Sequence, residues 1–160
     1  MIKGVHHVAI SCRNITLLTE FYRDQLDFEL VMETEWLAGT EFGAGADRAI
    51  NLKDSSAKVA MLSKGGCIVE LFEYSSPTPK PVSPEWRVCD HGYTHICLEV
   101  EDIAAEYERL RKVGMSFHVP PPEVASNGMK AVYARDPEGN VIELLEFVSG
   151  ASMETFAASV

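Results

Sequence analysis

The most constraining feature of this chain is a glutamate in apolar surroundings, and it occurs twice. Glu143 stands inside the run VIELL, and Glu70 inside CIVELFEY. Both runs read as strands, because β-branched and large apolar residues bounded by turn chemistry favour a pleated, buried setting. A carboxylate in such a strand must be hydrogen-bonded, ion-paired or bound to a cation; buried alone it costs several kcal/mol, roughly. Any fold for this chain has to bring a partner to each acid.

The Glu143 strand is the second arm of a hairpin spanning Ala131 to Glu146. Its centre, Asp136-Pro137-Glu138-Gly139-Asn140, is turn chemistry: Pro137 fixes its own φ, and Gly139 or Asn140 takes a positive φ at low cost. At the other end of the chain, Val5 to Cys12 alternates as a strand. Val5, His7, Ala9 and Ser11 share one face; His6, Val8 and Ile10 share the other, which leaves His6 a structural role. Asn14 caps a helix from about Ile15 to Leu26, and Phe28 to Met32 is a second strand. Glu33 to Ser56 is glycine-rich and reads either as a third strand through Ala49 to Leu52 or as a loop closing over a site. Lys58 to Leu62 is a strand, Gly65-Gly66 a turn, and Cys67 to Tyr74 the strand that holds Glu70.

Pro77, Pro79, Pro81 and Pro84 then exclude a helix or a central strand. After them the pattern restarts. Tyr93 to Val100 is a strand with His95 inside it. Asp102 caps a helix from Ile103 to Val113, and Gly114 fits its C-terminal stop. Met115 to Val119 is a strand, and prolines and Ser126-Asn127-Gly128 punctuate the loop before the hairpin. The chain therefore holds a repeat: strand with His, capped helix, strands, and a last strand with Glu. His7 and Glu70 belong to the first copy, His95 and Glu143 to the second. Two related modules usually pack about a pseudo-twofold axis, and matching positions then converge on it. The divisions are a first module over 4–75, a proline-rich linker over 76–90, a second module over 91–147 and a weakly patterned tail over 148–160.

Composition narrows the function. With 24 acidic and 14 basic residues, the net charge of −10 argues against nucleic acid, which requires a basic footprint, and against a polybasic membrane surface. No apolar run approaches the ~20 residues that span a bilayer, and the N-terminal stretch lacks a signal peptide's apolar region. Cys12, Cys67, Cys89 and Cys97 have no Cys-x-x-Cys spacing, so free thiols in a reducing cytoplasm are expected.

In the segments VHHVAIS with FYRDQLDFELV, CIVELFEY, GYTHICLEVEDI and YARDPEGNVIELLE, over about residues 4 to 147, the chain resembles the vicinal oxygen chelate superfamily. That family includes glyoxalase I, methylmalonyl-CoA epimerase, extradiol dioxygenases and bleomycin or fosfomycin resistance proteins. The resemblance implies an α+β fold of two βαβββ modules, whose mixed sheets curl around a metal cavity. It also implies metal ligands from the first and last strand of each module: His7, Glu70, His95 and Glu143. This His/Glu/His/Glu set is similar to that of bacterial-type glyoxalase I. The chain departs from that enzyme at Ser11 and Tyr74, near the places of its glutathione-binding Arg and Asn, which points away from a glutathione adduct.

Two imidazoles and two carboxylates suit Zn, Ni, Co, Mn or Fe in the divalent state. Such a metal polarises a carbonyl, and a carboxylate, Glu70 or Glu143, acts as the base that moves an α proton through an enediolate. The expectation is a metal-dependent lyase or isomerase of glyoxalase type, acting on a small oxygenated substrate. The alternatives are an extradiol-type dioxygenase with Fe(II) and a non-catalytic small-molecule binding or resistance protein. A homodimer is the expected assembly. Cys97 and Glu99 share the face of His95; packing and a solvated rim are their plainer roles. Trp36, Phe42 and Trp86 fall in loops, and Glu41, Asp47 and His118 carry no specific support as further bases. Glu106 with Arg109, and Glu108 with Lys112, are the ion pairs expected along the second module's helix.

Overall fold

The computed structural model describes residues 1–83, 85–124, 128–148 and 151–152. The chain divides into two units, Met1–Ser83 and Pro84–Val160. The first contains β1 (His7–Ser11), α1 (Ile15–Glu20), β2 (Glu29–Trp36), α2 (Glu41–Ile50), β3 (Ser56–Lys64) and β4 (Cys67–Ser76). A π-helical stretch, Phe21–Gln25, continues α1. The second contains β5 (Ile96–Glu99), α3 (Ile103–Leu110), β6 (Ser116–Phe117), β7 (Met129–Arg135) and β8 (Val141–Phe147).

Each unit is a four-stranded mixed sheet, and the two orders are the same, β1-β4-β3-β2 and β5-β8-β7-β6. In both, the first strand lies parallel to the last and the remaining pairs are antiparallel. The α+β fold of two βαβββ modules is therefore as expected. The repeat follows from local chemistry. The Asn14 side chain accepts from Leu17 N at 3.0 Å and starts α1; Asp102 accepts from Ala105 N at 3.0 Å and starts α3. Each helix then lies on one face of its sheet. In the first unit Leu18 and Tyr22 are fully buried, as are Leu62, Val69 and Leu71 of the strands. In the second, Ile103 and Leu110 are buried, with Ile142, Leu144 and Val132. Full burial of each large side chain stabilises by about 1.5–3 kcal/mol, so this face fixes the register of every strand that contributes to it.

Several expectations need correction. Ala49 to Leu52 is not a strand. Residues 41–50 form α2, capped by Thr40, whose hydroxyl accepts from Gly43 N at 3.0 Å, and ended by Asn51 at φ 55°. Glycines at positions 43 and 45 hid the helix, because glycine lowers helix propensity by about 1 kcal/mol each. Trp36 and Phe42 accordingly lie in β2 and α2, not in loops. The strand read over Tyr93 to Val100 shrinks to Ile96–Glu99, so His95 precedes β5 instead of lying inside it. The Met115 to Val119 strand is two residues long, and α3 ends at Leu110, the following turn stopping at Gly114 with φ 107°. Glu108 pairs with Arg111 at 2.8 Å, where Lys112 was expected, while Glu106 does pair with Arg109. Position 84, the 126–127 part of the loop before β7 and most of the 148–160 tail lie outside the described residues.

Candidate functional site

In each unit the sheet face opposite the helix carries the glutamate. Alternation along β4 sends Val69, Leu71 and Glu73 towards α1, and Glu70, Phe72 and Tyr74 to the other side. Along β8, Ile142, Leu144 and Glu146 take the α3 side, and Glu143 the other. The inward set ends in a cap: Glu73 accepts from Ile15 N at 2.7 Å and Glu146 from Ile103 N at 3.4 Å. A carboxylate at a helix start is favourable because the first N–H groups are unpaired and carry the positive end of the dipole.

On the opposite face, register does the assembling. Ala9 of β1 pairs with Glu70, and Cys97 of β5 pairs with Glu143. The histidine stands two residues before that position in both units, on the same face. His7 Nε2 lies 3.2 Å from Glu70 Oε2, and His95 Nε2 lies 3.0 Å from Glu143 Oε2. The glutamate side chains are only 12% and 17% exposed, so each acid is mostly buried and has its imidazole partner. The expectation of fully buried strands is relaxed to that extent.

The second ring nitrogen is occupied as well. His95 Nδ1 is 2.7 Å from the Thr94 hydroxyl, and His7 Nδ1 is 3.0 Å from His6 Nδ1. A partner on Nδ1 fixes ring orientation and leaves Nε2 to face the carboxylate. His6 was assigned to the other face; because it precedes β1, strand alternation does not hold it there, and its ring meets His7 edge-on at 5.2 Å.

The cross-strand neighbours differ. Met61 stands opposite Glu70, whereas Tyr133 stands opposite Glu143. The Tyr133 ring meets His95 edge-on at 5.1 Å. Cys97 stands beside Glu143 in the β5–β8 register. Although part of Cys97 reaches solvent, burial of the rest is the largest cause that pushes its thiol up to about 11, followed by the charge of Glu143. Burial, then the Glu143 charge, raises the Tyr133 phenol likewise. Both groups stay protonated at neutral pH. Tyr133 is the site-face residue that sequence reasoning missed. The signal was available: counting outward from the Asp136–Asn140 turn pairs position 133 with 143.

Beyond Glu70 the first unit's face becomes aromatic. Phe72 and Tyr74 stack with centroids 5.7 Å apart, and Trp36 meets both edge-on at 6.0 and 5.9 Å. Ala46 of α2 packs onto this cluster. Trp36 Nε1 donates to Ser55 Oγ at 2.9 Å, and Ser55 in turn donates through N and Oγ to Asp47 of α2. Asp47 is thereby a structural acceptor: the Ser55 hydrogen bonds hold its carboxyl below the usual range. Tyr74 is raised, first by burial and then by the Glu70 charge.

The four expected site residues are thus brought together as two pairs, one per unit. Among the described residues no three His, Cys, Asp or Glu side chains gather as a metal-holding group, and no helix is long and apolar enough to cross a membrane.

Two mixed sheets in one repeated order, each pairing a histidine at or just before its first strand with a glutamate of its last, define a glyoxalase-like protein. A family model described as Glyoxalase/Bleomycin resistance protein/Dioxygenase superfamily matches residues 4–144, and the chain belongs to that superfamily. It is 27% identical to the uncharacterized protein YaeR of Escherichia coli, covering 91% of this chain and 97% of that one. It is 23% identical to the uncharacterized YwkD of Bacillus subtilis, with 91% and 98% covered. Among solved structures it is similar to a glyoxalase family protein from Bacillus cereus, with a TM-score of 0.82 and 22% identity over 93% of this chain and 97% of that one. The fosfomycin resistance protein FosX of Listeria monocytogenes, solved with Mn(II) and a dihydroxypropylphosphonic acid, has the same fold. Its TM-score is 0.61 at 16% identity, with 98% of each chain covered.

Proposed function

We propose that this protein is a metal-dependent lyase or isomerase of glyoxalase type, acting on a small oxygenated substrate. The observation that carries the reading is the repetition of one pair, imidazole Nε2 against carboxylate, at matching register positions in both units. The donor set fits a divalent first-row cation. Each pair offers a neutral nitrogen and an anionic oxygen, and each imidazole has a partner on its far nitrogen, as metal-ligating histidines usually do. One pair falls short of the usual three or four protein ligands, so the reading takes both pairs, His7 with Glu70 and His95 with Glu143, as the complete set. A homodimer in the cytoplasm is part of the same reading.

A divalent cation bound there supplies Lewis acidity towards a carbonyl oxygen. The chain's own residues supply the rest. The two imidazoles orient through Thr94 and His6. One of the two carboxylates, Glu70 or Glu143, takes the proton α to the carbonyl and returns it to a neighbouring carbon. The aromatic cluster of Trp36, Phe72 and Tyr74 offers an apolar wall beside Glu70.

Elemental analysis of purified protein, with proton exchange in D2O for a panel of small α-hydroxy and α-keto carbonyl compounds, tests the reading. The expected result is about one divalent metal per chain and exchange abolished in Glu143→Gln. Wild-type exchange in that variant rules out the role of Glu143, and a protein that takes up no divalent metal rules out the reading. Oxygen uptake with bound iron would instead establish the dioxygenase alternative, and metal-free ligand binding without turnover the sequestering one.

A further inference from the structure

The sheet face that carries Glu70 changes character within two residues. Strand register sets Ser11 of β1, Phe72 of β4 and Val59 of β3 side by side in the next row, and Tyr74, Ala57 and Trp36 in the row after. No lysine or arginine stands in either row. The rings are ordered: Phe72 and Tyr74 stack at an interplanar angle of 17°, and Trp36 lies edge-on to them at 69° and 79°. Trp36 is 7% exposed and donates its indole N–H to Ser55, so it supports the pair rather than meeting a ligand. Phe72 and Tyr74 are only half-buried, and Ser11, the neighbour of Phe72 on β1, is small and exposed. The second unit differs: at the positions matching Phe72 and Ser11 stand Leu145 and the exposed carboxylate of Glu99. A neutral, ordered pair of rings beside a carboxylate and an imidazole suits a molecule with one oxygenated end and one aromatic end, because ring–ring contact adds to plain apolar burial. A phosphate- or carboxylate-bearing tail would call for a cation that these rows lack.

We propose that Phe72 and Tyr74 form a subsite for an aryl group, so that the substrate is an aryl-bearing α-hydroxy or α-keto carbonyl compound whose oxygenated end meets Glu70 and His7. This rests on the function proposed above for the oxygenated end, and it adds the chemical class of the other end. The ring contact itself lies within the first unit and needs no metal. Ser11 is the access side: its small side chain leaves Phe72 open towards β1, where a larger residue would fill the space.

The test uses the full chain in a Trp86→Phe background, which leaves Trp36 as its one tryptophan. Neutral α-hydroxy ketones with phenyl, cyclohexyl or methyl on the carbonyl are titrated in, with and without a divalent metal. Heat of binding and Trp36 emission are the readouts. The phenyl compound is expected to change Trp36 emission and to bind about three- to tenfold tighter than the cyclohexyl one, the contribution typical of an aromatic pair. Phe72→Leu and Tyr74→Leu each reduce that preference, and Ser11→Leu weakens phenyl binding by blocking access. Circular dichroism reports whether each variant is folded, and Ser11→Leu, at an exposed position, keeps the test open should the ring substitutions fail to fold. Equal affinity for the phenyl and cyclohexyl compounds, or no binding of the phenyl compound, overturns the proposal. So does phenyl binding that is unchanged in every folded variant. Failure of the proposed reaction looks different: phenyl preference persists in the metal-free protein while no metal restores proton exchange. Exchange of the methyl compound with no phenyl preference is the converse, and it removes the subsite alone.

Discussion

Two glycines two residues apart in α2 make a prediction of opposite sign for the same substitution. In an exposed helix interior, Gly→Ala stabilises by about 1 kcal/mol, because alanine loses less backbone entropy and shields the helix. At Gly45 a new Cβ meets only the Arg48 guanidinium, at 3.9 Å. Gly45→Ala should therefore gain about 1 kcal/mol, or about 2–4 °C in Tm for a chain of this size. At Gly43 the Cβ would sit 2.2 Å from the Leu37 carbonyl oxygen, 3.1 Å from its carbon and 3.2 Å from Thr40 Oγ1. That is roughly an ångström short of ordinary contact. The obstacle is backbone, and it cannot swing away as a side-chain tip does. Thr40 Oγ1 donates to Leu37 O at 2.7 Å and accepts from Gly43 N, so moving Leu37 also breaks the cap. Overpacking costs about 1–3 kcal/mol and the lost cap about 1 kcal/mol. Set against the propensity gain, Gly43→Ala should lose about 1–3 kcal/mol, a fall of about 2–12 °C. Thermal and urea unfolding followed by circular dichroism measure both variants. If Gly43→Ala is as stable as the parent, or both variants move together, the close approach of α2 to Leu37 is refuted.

Other predictions follow from the same geometry. Asp136 is buried and accepts from Glu138 N at 2.9 Å, Asn140 N at 3.0 Å and Asn140 Nδ2 at 2.8 Å, yet burial outweighs these bonds and raises its carboxyl above 3.8. A folded value above the unfolded one means its contribution is fully present below the unfolded value and is lost as pH rises through the folded one. Asp136→Asn, neutral at every pH, should therefore gain on the parent as urea unfolding is repeated from acid to neutral pH; a gap that narrows instead contradicts this. Glu73→Ala should cost about 1–2 kcal/mol by uncapping α1, and Glu146→Ala less, since 2.7 Å becomes 3.4 Å at α3. Glu73→Gln, which keeps an acceptor, should recover most of that loss in urea titrations, and failure to do so removes the cap assignment. Chelation of a metal-loaded sample should lower Tm, because a ligand bound only to the folded state stabilises it by mass action; an unchanged Tm counts against bound metal.

Much of the fold was legible in the residues alone. Asn14 and Asp102 announce their helices because a short polar side chain before an apolar face satisfies the first N–H groups, a purely local transaction. Gly65-Gly66 and Asp136–Asn140 announce turns because their backbone angles, φ 57° and 80° in the first and 94° at Gly139, suit few other residues. Glu70 and Glu143 announce a site because an acid in an apolar strand requires a partner. α2 was not legible: Gly43 is there for a contact with Leu37, which lies outside the helix, and Gly45 lowers its propensity further.

What the sequence determined by itself was which residues had to find partners, since charge, burial preference and capping chemistry travel with each side chain. Which partners they found was decided by strand register. Pairing Ala9 with Glu70 and Cys97 with Glu143 sets His7 and His95 against their carboxylates. Pairing Tyr133 with Glu143, but Met61 with Glu70, makes the two halves differ. Register is a property of whole sheets, fixed by the apolar face that each buries under its helix, and a slip of one residue would have turned every one of these groups to the other side.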